Sequence, residues 1–113
     1  MPIAADLIRG HTETIILAHL YSRDSYGYEV NKSIYEKSGG RYELKEATLY
    51  GAFRRLEEAG RIESFWGDEN TGARRRYYRI TERGRSALRE NLDEWGDAKK
   101  LIDILIQTEG ERL

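Results

Sequence analysis

The side chains best suited to chemistry in this chain are six arginines near its middle. They fall in two groups, Arg54 with Arg55 and, further on, Arg74, Arg75, Arg76 and Arg79. Guanidinium groups placed on phosphates release counterions, so such clusters suit the backbone of duplex DNA. Either group alone is more simply a solvated charged surface, whereas the two groups together favour a DNA-binding surface.

Enzyme motifs are missing from the sequence. It has no GxSxG, no HExxH and no glycine-rich phosphate loop after a strand, and its carboxylates show no spacing that indicates acid and base catalysis. His11 and His19 are too far apart on one predicted helix to share a metal, and there is no cysteine. We therefore expect no enzyme activity, no cofactor and no metal.

Trp95 is a second candidate for function. It lies in a seam of apolar residues at steps of three and four, typical of a coiled coil: Leu88, Leu92, Trp95, Ala98, Ile102 and Leu105. Nothing else in the chain is available to cover this seam, so we expect it to form a homodimer. Two Trp95 rings near a twofold axis would either fill the core or stand apart as walls for a flat guest, and spacing alone favours the core.

Four helices and a hairpin would position these groups. The periodicity predicts helices at 4–20, 26–37 (capped by Asp24 or Ser25), 46–59 (stopped by Gly60) and 82–107 (capped by Thr81). Strands at 61–68 and 74–80 flank a turn at 69–73. The layout is that of a winged helix-turn-helix, an α+β fold that is mainly α, with a long C-terminal dimerisation helix. We assign 1–81 to DNA binding, with the first helix also in the dimer interface, and 82–113 to dimerisation.

Composition narrows the class of protein. The chain has 113 residues and a formal net charge of -1, with a pI of about 6.2 and a mean hydropathy of -0.76. DNA binding therefore cannot be argued from the overall charge, and a protein-interaction module remains an alternative. The sequence contains no signal peptide and no apolar run of membrane length, so we expect a cytoplasmic protein with no membrane partner.

The motifs together resemble the PadR-like winged-helix transcriptional regulators. The matching stretches are Tyr26-Gly27-Tyr28-Glu29, Ala47-Thr48-Leu49-Tyr50 and Arg75-Arg76-Tyr77-Tyr78-Arg79-Ile80-Thr81, followed by Gly84. The wing motif Phe65-Trp66-Gly67-Asp68-Glu69 and Trp95 are most similar to the multidrug-responsive LmrR-type repressors. The resemblance implies a homodimeric repressor that binds double-stranded operator DNA and is modulated by a planar aromatic effector.

The resemblance also implies the functional residues. The expected DNA contacts are Tyr28, Thr48, Tyr50, Arg54, Gly72, Arg74 and Arg75. The expected effector pore at the dimer interface is lined by Trp95, Leu7, Thr14, Ala18, Leu92, Lys99 and Ile102. The chain departs from the family pattern at three positions: Gly51 replaces a common proline, Lys99 an acidic residue, and Leu92 an aromatic. The charge of the effector is therefore open, as is a regulator with no effector, in which Trp95 fills the core.

Overall fold

The computed structural model describes residues 3, 5–67 and 74–108. Five α-helices and three strands follow one another in these parts of the chain. They are α1 (Ala5–Ile8), α2 (Thr12–Ser22), β1 (Ser25–Tyr26), α3 (Gly27–Lys37), α4 (Glu46–Glu58), β2 (Ile62–Trp66), β3 (Arg76–Ile80) and α5 (Glu82–Leu105). The mainly helical α+β class predicted from the sequence is confirmed.

The first predicted helix is interrupted. A 3-10 turn at Arg9–His11 separates α1 from α2, where the sequence analysis predicts one helix over 4–20. Gly10, a poor helix former, lies in this turn, and the Thr12 hydroxyl donates a hydrogen bond to the Arg9 carbonyl at 3.1 Å. The break leaves Leu7 in α1 71% exposed, while Ile16 in α2 is fully buried.

The start of α3 differs from the prediction. Neither Asp24 nor Ser25 caps it, because the N-cap residue is Tyr26, which makes no side-chain cap bond. Ser25 and Tyr26 instead form β1, which pairs antiparallel with Tyr78 and Tyr77 of β3. The buried Ser25 hydroxyl lies 2.8 Å from Nε2 of His19. A two-residue strand is too short to leave an alternating pattern in the sequence.

The core forms where α4 packs between α2, α3 and the sheet. The predicted apolar stripe of Leu49, Phe53 and Leu56 is buried, and the Phe53 ring stacks on Tyr78 at 4.0 Å between centroids. Helix α4 runs unbroken through Gly51 and ends where Gly60 adopts a φ of 73°. This confirms the predicted helix to within one residue.

The hairpin and α5 complete the fold. The strand order in the sheet is β1-β3-β2. Strands β2 and β3 pair antiparallel, from Ile62 opposite Ile80 to Trp66 opposite Arg76. Thr81 is the predicted cap of α5, since its hydroxyl accepts a hydrogen bond from the Gly84 amide at 3.1 Å. The buried residues of α5, Gly84, Ala87 and Leu88, all lie in its first two turns. None of the helices in the described ranges is both long enough and apolar enough to cross a membrane.

Candidate nucleic-acid interface and Trp95 pocket

One groove brings together aromatic and basic residues from three elements. Its volume is about 460 Å³, and its lining includes Tyr28 of α3, Tyr50 of α4, and Arg74 and Arg75 just before β3. All four are exposed, and all four belong to the DNA-contact set predicted above. Helix α4 therefore lies beside the hairpin with phenol and guanidinium groups on a shared surface.

Gly27 allows Tyr50 to sit in this groove. A Cβ at Gly27 would lie only 2.9 Å from Cζ of Tyr50 and closer still to its hydroxyl oxygen. Any side chain there would displace the Tyr50 ring. The glycine at the start of α3 thus leaves room for the Tyr50 phenol in this groove.

Ion pairs divide the six arginines of the sequence analysis. Three of them reach carboxylates: Arg55 with Glu13 at 3.0 Å, Arg76 with Glu57 at 3.4 Å, and Arg79 with Asp24 at 3.8 Å and Glu63 at 3.9 Å. These pairs partly neutralise the cations, so they are weaker candidates for phosphate contacts. The predicted contacts Arg54 and Arg75 are not among these pairs of the described residues.

The three remaining arginines occupy different positions. Arg75 lies over the Tyr26 ring at 4.8 Å, and Arg74 lies over the Trp66 ring at 4.8 Å. Arg54 is exposed on α4, and its guanidinium is 3.9 Å from where a Gly51 Cβ would be. Of the other predicted contacts, Gly72 lies outside the described residues, and exposed Thr48 lines the Trp95 pocket rather than this groove.

A polar bridge that the sequence analysis missed joins α4 to the hairpin. Ser64 of β2 donates to Glu57 at 2.7 Å, and Arg76 of β3 donates to Ser64 at 2.8 Å. Because Glu57 is in the last turns of α4, the bridge holds the hairpin against the end of that helix. No pattern in the sequence marks it, since its partners come from three elements.

Phe65 and Trp66 of β2 have different surroundings. Phe65 stacks on Tyr77 at 5.6 Å, as expected for a cross-strand pair, but Trp66 is 55% exposed. Neighbouring residues of a strand point to opposite faces of the sheet, so Phe65 and Trp66 cannot join the same cluster. The Trp66 indole meets the Arg74 guanidinium instead.

A second cavity lies beside Trp95, between α2, α4 and α5. Its volume is about 450 Å³, and two residues of α4, Thr48 and Arg55, form part of its wall. The His11 ring packs edge-on against Trp95 at 4.5 Å. Asn91 donates to the Thr14 hydroxyl at 2.9 Å, which fixes α5 against α2. We call this cavity the Trp95 pocket.

The predicted effector residues are only partly gathered in one protomer. Trp95 and Thr14 line the Trp95 pocket, and the Lys99 ammonium lies 5.7 Å from the Trp95 ring centroid. Ala18 instead lines a separate apolar groove between α2 and α3, of about 350 Å³. The remaining three, Leu7, Leu92 and Ile102, lie outside both cavities as described and are exposed.

The distal part of α5 has an apolar surface that the described residues do not cover. Its exposed members are Leu92, Trp95, Leu101, Ile102, Ile104 and Leu105. Trp95 is 39% exposed in the single protomer. A tryptophan at that exposure is not a core residue of one chain, so its environment depends on what contacts α5.

Known proteins share the sequence family and the fold of this chain. The sequence model of the transcriptional regulator PadR-like family matches residues 16–90. A transcriptional regulator from Clostridium thermocellum is 46% identical, with a TM-score of 0.85, over 93% of this chain and 99% of that one. A PadR family regulator from Clostridium difficile is 33% identical, with a TM-score of 0.77, over 86% and 99%. One from Eggerthella lenta is 31% identical, with a TM-score of 0.82, over 92% and 88%.

Proposed function

The chain belongs to the PadR-like family of transcriptional regulators, and we propose that it acts as a homodimeric repressor that places α4 in the major groove of its operator. The groove shared by Tyr28, Tyr50, Arg74 and Arg75 carries this proposal. Phenol and guanidinium groups on one exposed surface suit both base edges and phosphates. Such a regulator binds DNA in the cytoplasm and needs no catalytic residue.

Each DNA contact has a role in this proposal. Thr48, Tyr50 and Arg54 of α4 face the major groove, and Tyr28 contacts the backbone at its edge. Arg74 and Arg75 lie on the neighbouring phosphates beside the wing, and Gly72 is a further proposed contact. Two protomers then read half-sites about one helical turn apart, or a small multiple of it.

Dimerisation in this proposal uses the uncovered apolar surface of α5. The groove between α2 and α3, lined by Ile15, Ala18 and Tyr42 among others, offers a partner helix a second apolar surface. Burying both removes large aliphatic side chains from water, which favours association. Residues 82–113 are the dimerisation part, and residues 1–81 the DNA-binding part.

Salt dependence of DNA binding tests the interface. Each neutralised phosphate adds about 0.9 to the slope of log K against log salt, so Arg75→Ala should lower the slope of a dimer by about 1.8. Arg54→Ala should do the same. Arg79→Ala removes the same charge from an arginine that already lies near Asp24 and Glu63, so it should leave the slope nearly unchanged. Equal slopes for all three variants would contradict the interface.

A second proposed function is regulation by a planar aromatic effector, as in the LmrR type. It is supported by the Trp95 pocket, because Thr48 and Arg55 of α4 form part of the same wall as Trp95. A guest between the two Trp95 rings of a dimer would therefore lie next to the DNA-reading helix. If the dimer has two arrangements of its α4 helices, the guest changes DNA affinity only as far as its own affinity differs between those two arrangements.

Tryptophan fluorescence tests the effector site. The chain has two tryptophans, so Trp66→Phe leaves Trp95 as the only reporter. Saturable quenching of this variant by a planar dye or phenolic acid is expected, together with changed operator affinity. Measured by equilibrium dialysis, Trp95→Ala should bind the same compound more weakly than the native chain. Unchanged binding by Trp95→Ala would remove Trp95 from the site.

A further inference from the structure

We infer that the Trp95 pocket prefers planar aromatic guests that carry a negative charge, an inference that rests on the effector role proposed above. The observation behind it is the position of Lys99. Its ammonium nitrogen lies 5.7 Å from the centroid of the Trp95 ring. Lys99 comes one helical turn after Trp95, so the two side chains share a face of α5.

A guest that stacks on Trp95 must accommodate this cation. An aromatic anion can stack on the indole and keep the ammonium as a partner for its charge. A neutral aromatic must displace the ammonium from the ring and loses that cation–π contact. An aromatic cation places like charges next to each other, which disfavours its binding.

The other charged groups of the pocket do not cancel Lys99. Arg9 and Arg55 line the pocket, and each meets a carboxylate, Asp6 at 2.6 Å and Glu13 at 3.0 Å respectively. Glu94 also lines the pocket, so the charged residues of its lining are two cations and two carboxylates, Arg9, Arg55, Glu13 and Glu94, which balance one another. Lys99 is not among these lining residues, but its ammonium lies 5.7 Å from the Trp95 ring centroid, so its charge acts where a guest stacks on that ring.

His11 strengthens the preference for a guest with an anionic edge. Its ring packs edge-on against Trp95 at 4.5 Å between centroids, with an interplanar angle of 60°. An imidazole ring offers an N–H donor at its periphery. A carboxylate on the rim of a guest stacked on Trp95 therefore has two possible partners. One is the N–H donor of His11, just before α2, and the other is the ammonium of Lys99 on α5.

The test uses three probes that share one ring system. Isothermal titration calorimetry of the native dimer would compare 2-naphthoate, 2-naphthamide and 2-naphthylmethylammonium. We expect naphthoate to bind at least about tenfold more tightly than the ammonium compound, with the amide between them. Lys99→Glu should reverse this order, and Lys99→Met, which keeps the length of the side chain, should abolish it. Lys100→Met is the matched control, because Lys100 is exposed on the same helix and is not among the residues that line the pocket, and it should preserve the order.

The possible failures are distinguishable. If native protein binds the ammonium probe as tightly as naphthoate or more so, the charge preference is overturned while the pocket stands. If Lys99→Met retains the order of the native protein, Lys99 is not its source, and the inference is likewise overturned. If none of the three probes binds to protein that still binds DNA, the effector role itself is overturned, and this inference with it.

Discussion

Gly84 lies where the start of α5 crosses the hairpin, and Gly84→Ala should destabilise the protein. A Cβ there would overlap the carbonyl oxygen of Arg61 and lie 2.7 Å from Cγ1 of Ile80. Arg61 cannot simply move away, because its carbonyl accepts a hydrogen bond from the Thr81 amide at 3.0 Å. The helix must shift outward instead.

The magnitude follows from three contributions. Overpacking against a fixed neighbour costs about 1–3 kcal/mol, and weakening the Thr81 hydrogen bond costs about 1 kcal/mol more. Alanine returns about 1 kcal/mol through its higher helix propensity. The net loss is therefore about 1–3 kcal/mol, which corresponds to a fall in Tm of at least about 4 °C for a domain of this size.

Gly96→Ala is the matched control on the same helix. A Cβ at Gly96 meets no heavy atom of the described residues within 4 Å, so only the helix propensity changes and the protein should gain up to about 1 kcal/mol. Both variants would be compared with the native chain by urea and thermal unfolding at one protein concentration. A Gly84→Ala variant as stable as the native chain would refute the packing argument.

Burial and the nearby Lys37 and Arg23 charges lower the pKa of His19 below its usual value of 6.5. The unfolded chain then binds more protons than the folded one, so the free energy of unfolding should fall as the pH drops below about 6.5. His19→Asn should flatten this pH dependence in urea melts. An unchanged pH dependence in the variant would contradict His19 as its source. Gly27→Ala should push the Tyr50 ring out of its groove, which should raise the operator Kd about fivefold with little change in Tm. An unaltered Kd would count against Tyr50 as a DNA contact. Ser64→Ala breaks the bridge to Glu57, so it should cost about 1 kcal/mol of stability. It should also weaken operator binding without changing the dependence of that binding on salt. A changed salt slope would instead indicate that Ser64 contacts a phosphate directly.

The parts of the fold that depend on local pattern were predictable from the sequence. The stripe of Leu49, Phe53 and Leu56 indicates α4 because helical period and burial coincide, and Gly60 marks its end. The Thr81 cap is similarly local, since its partner is the Gly84 amide. Each of these features is decided within a few residues of the chain.

Features that depend on how elements meet were not predictable. Arg55 and Glu13 are far apart in sequence, yet their pairing changes an apparent DNA cation into a link between α4 and α2. The contact of His11 with Trp95 likewise requires the angle between α2 and α5. Strand β1 was missed because its two residues have no periodicity of their own and form a strand only by pairing with β3.

The junction between α4 and α5 has a mechanical consequence. The Thr81 hydroxyl donates to the Gly60 carbonyl at 2.7 Å, and the Thr81 amide donates to Arg61, so the base of α5 is attached to the end of α4. Helix α5 has 24 residues, a lever arm of about 36 Å. A tilt of about 5° at its base moves its far end by about 3 Å. In the proposed dimer, a substitution at this junction would therefore alter the separation of the two α4 helices. The half-site spacing that the protein accepts would change as well, although the substituted residue does not contact DNA.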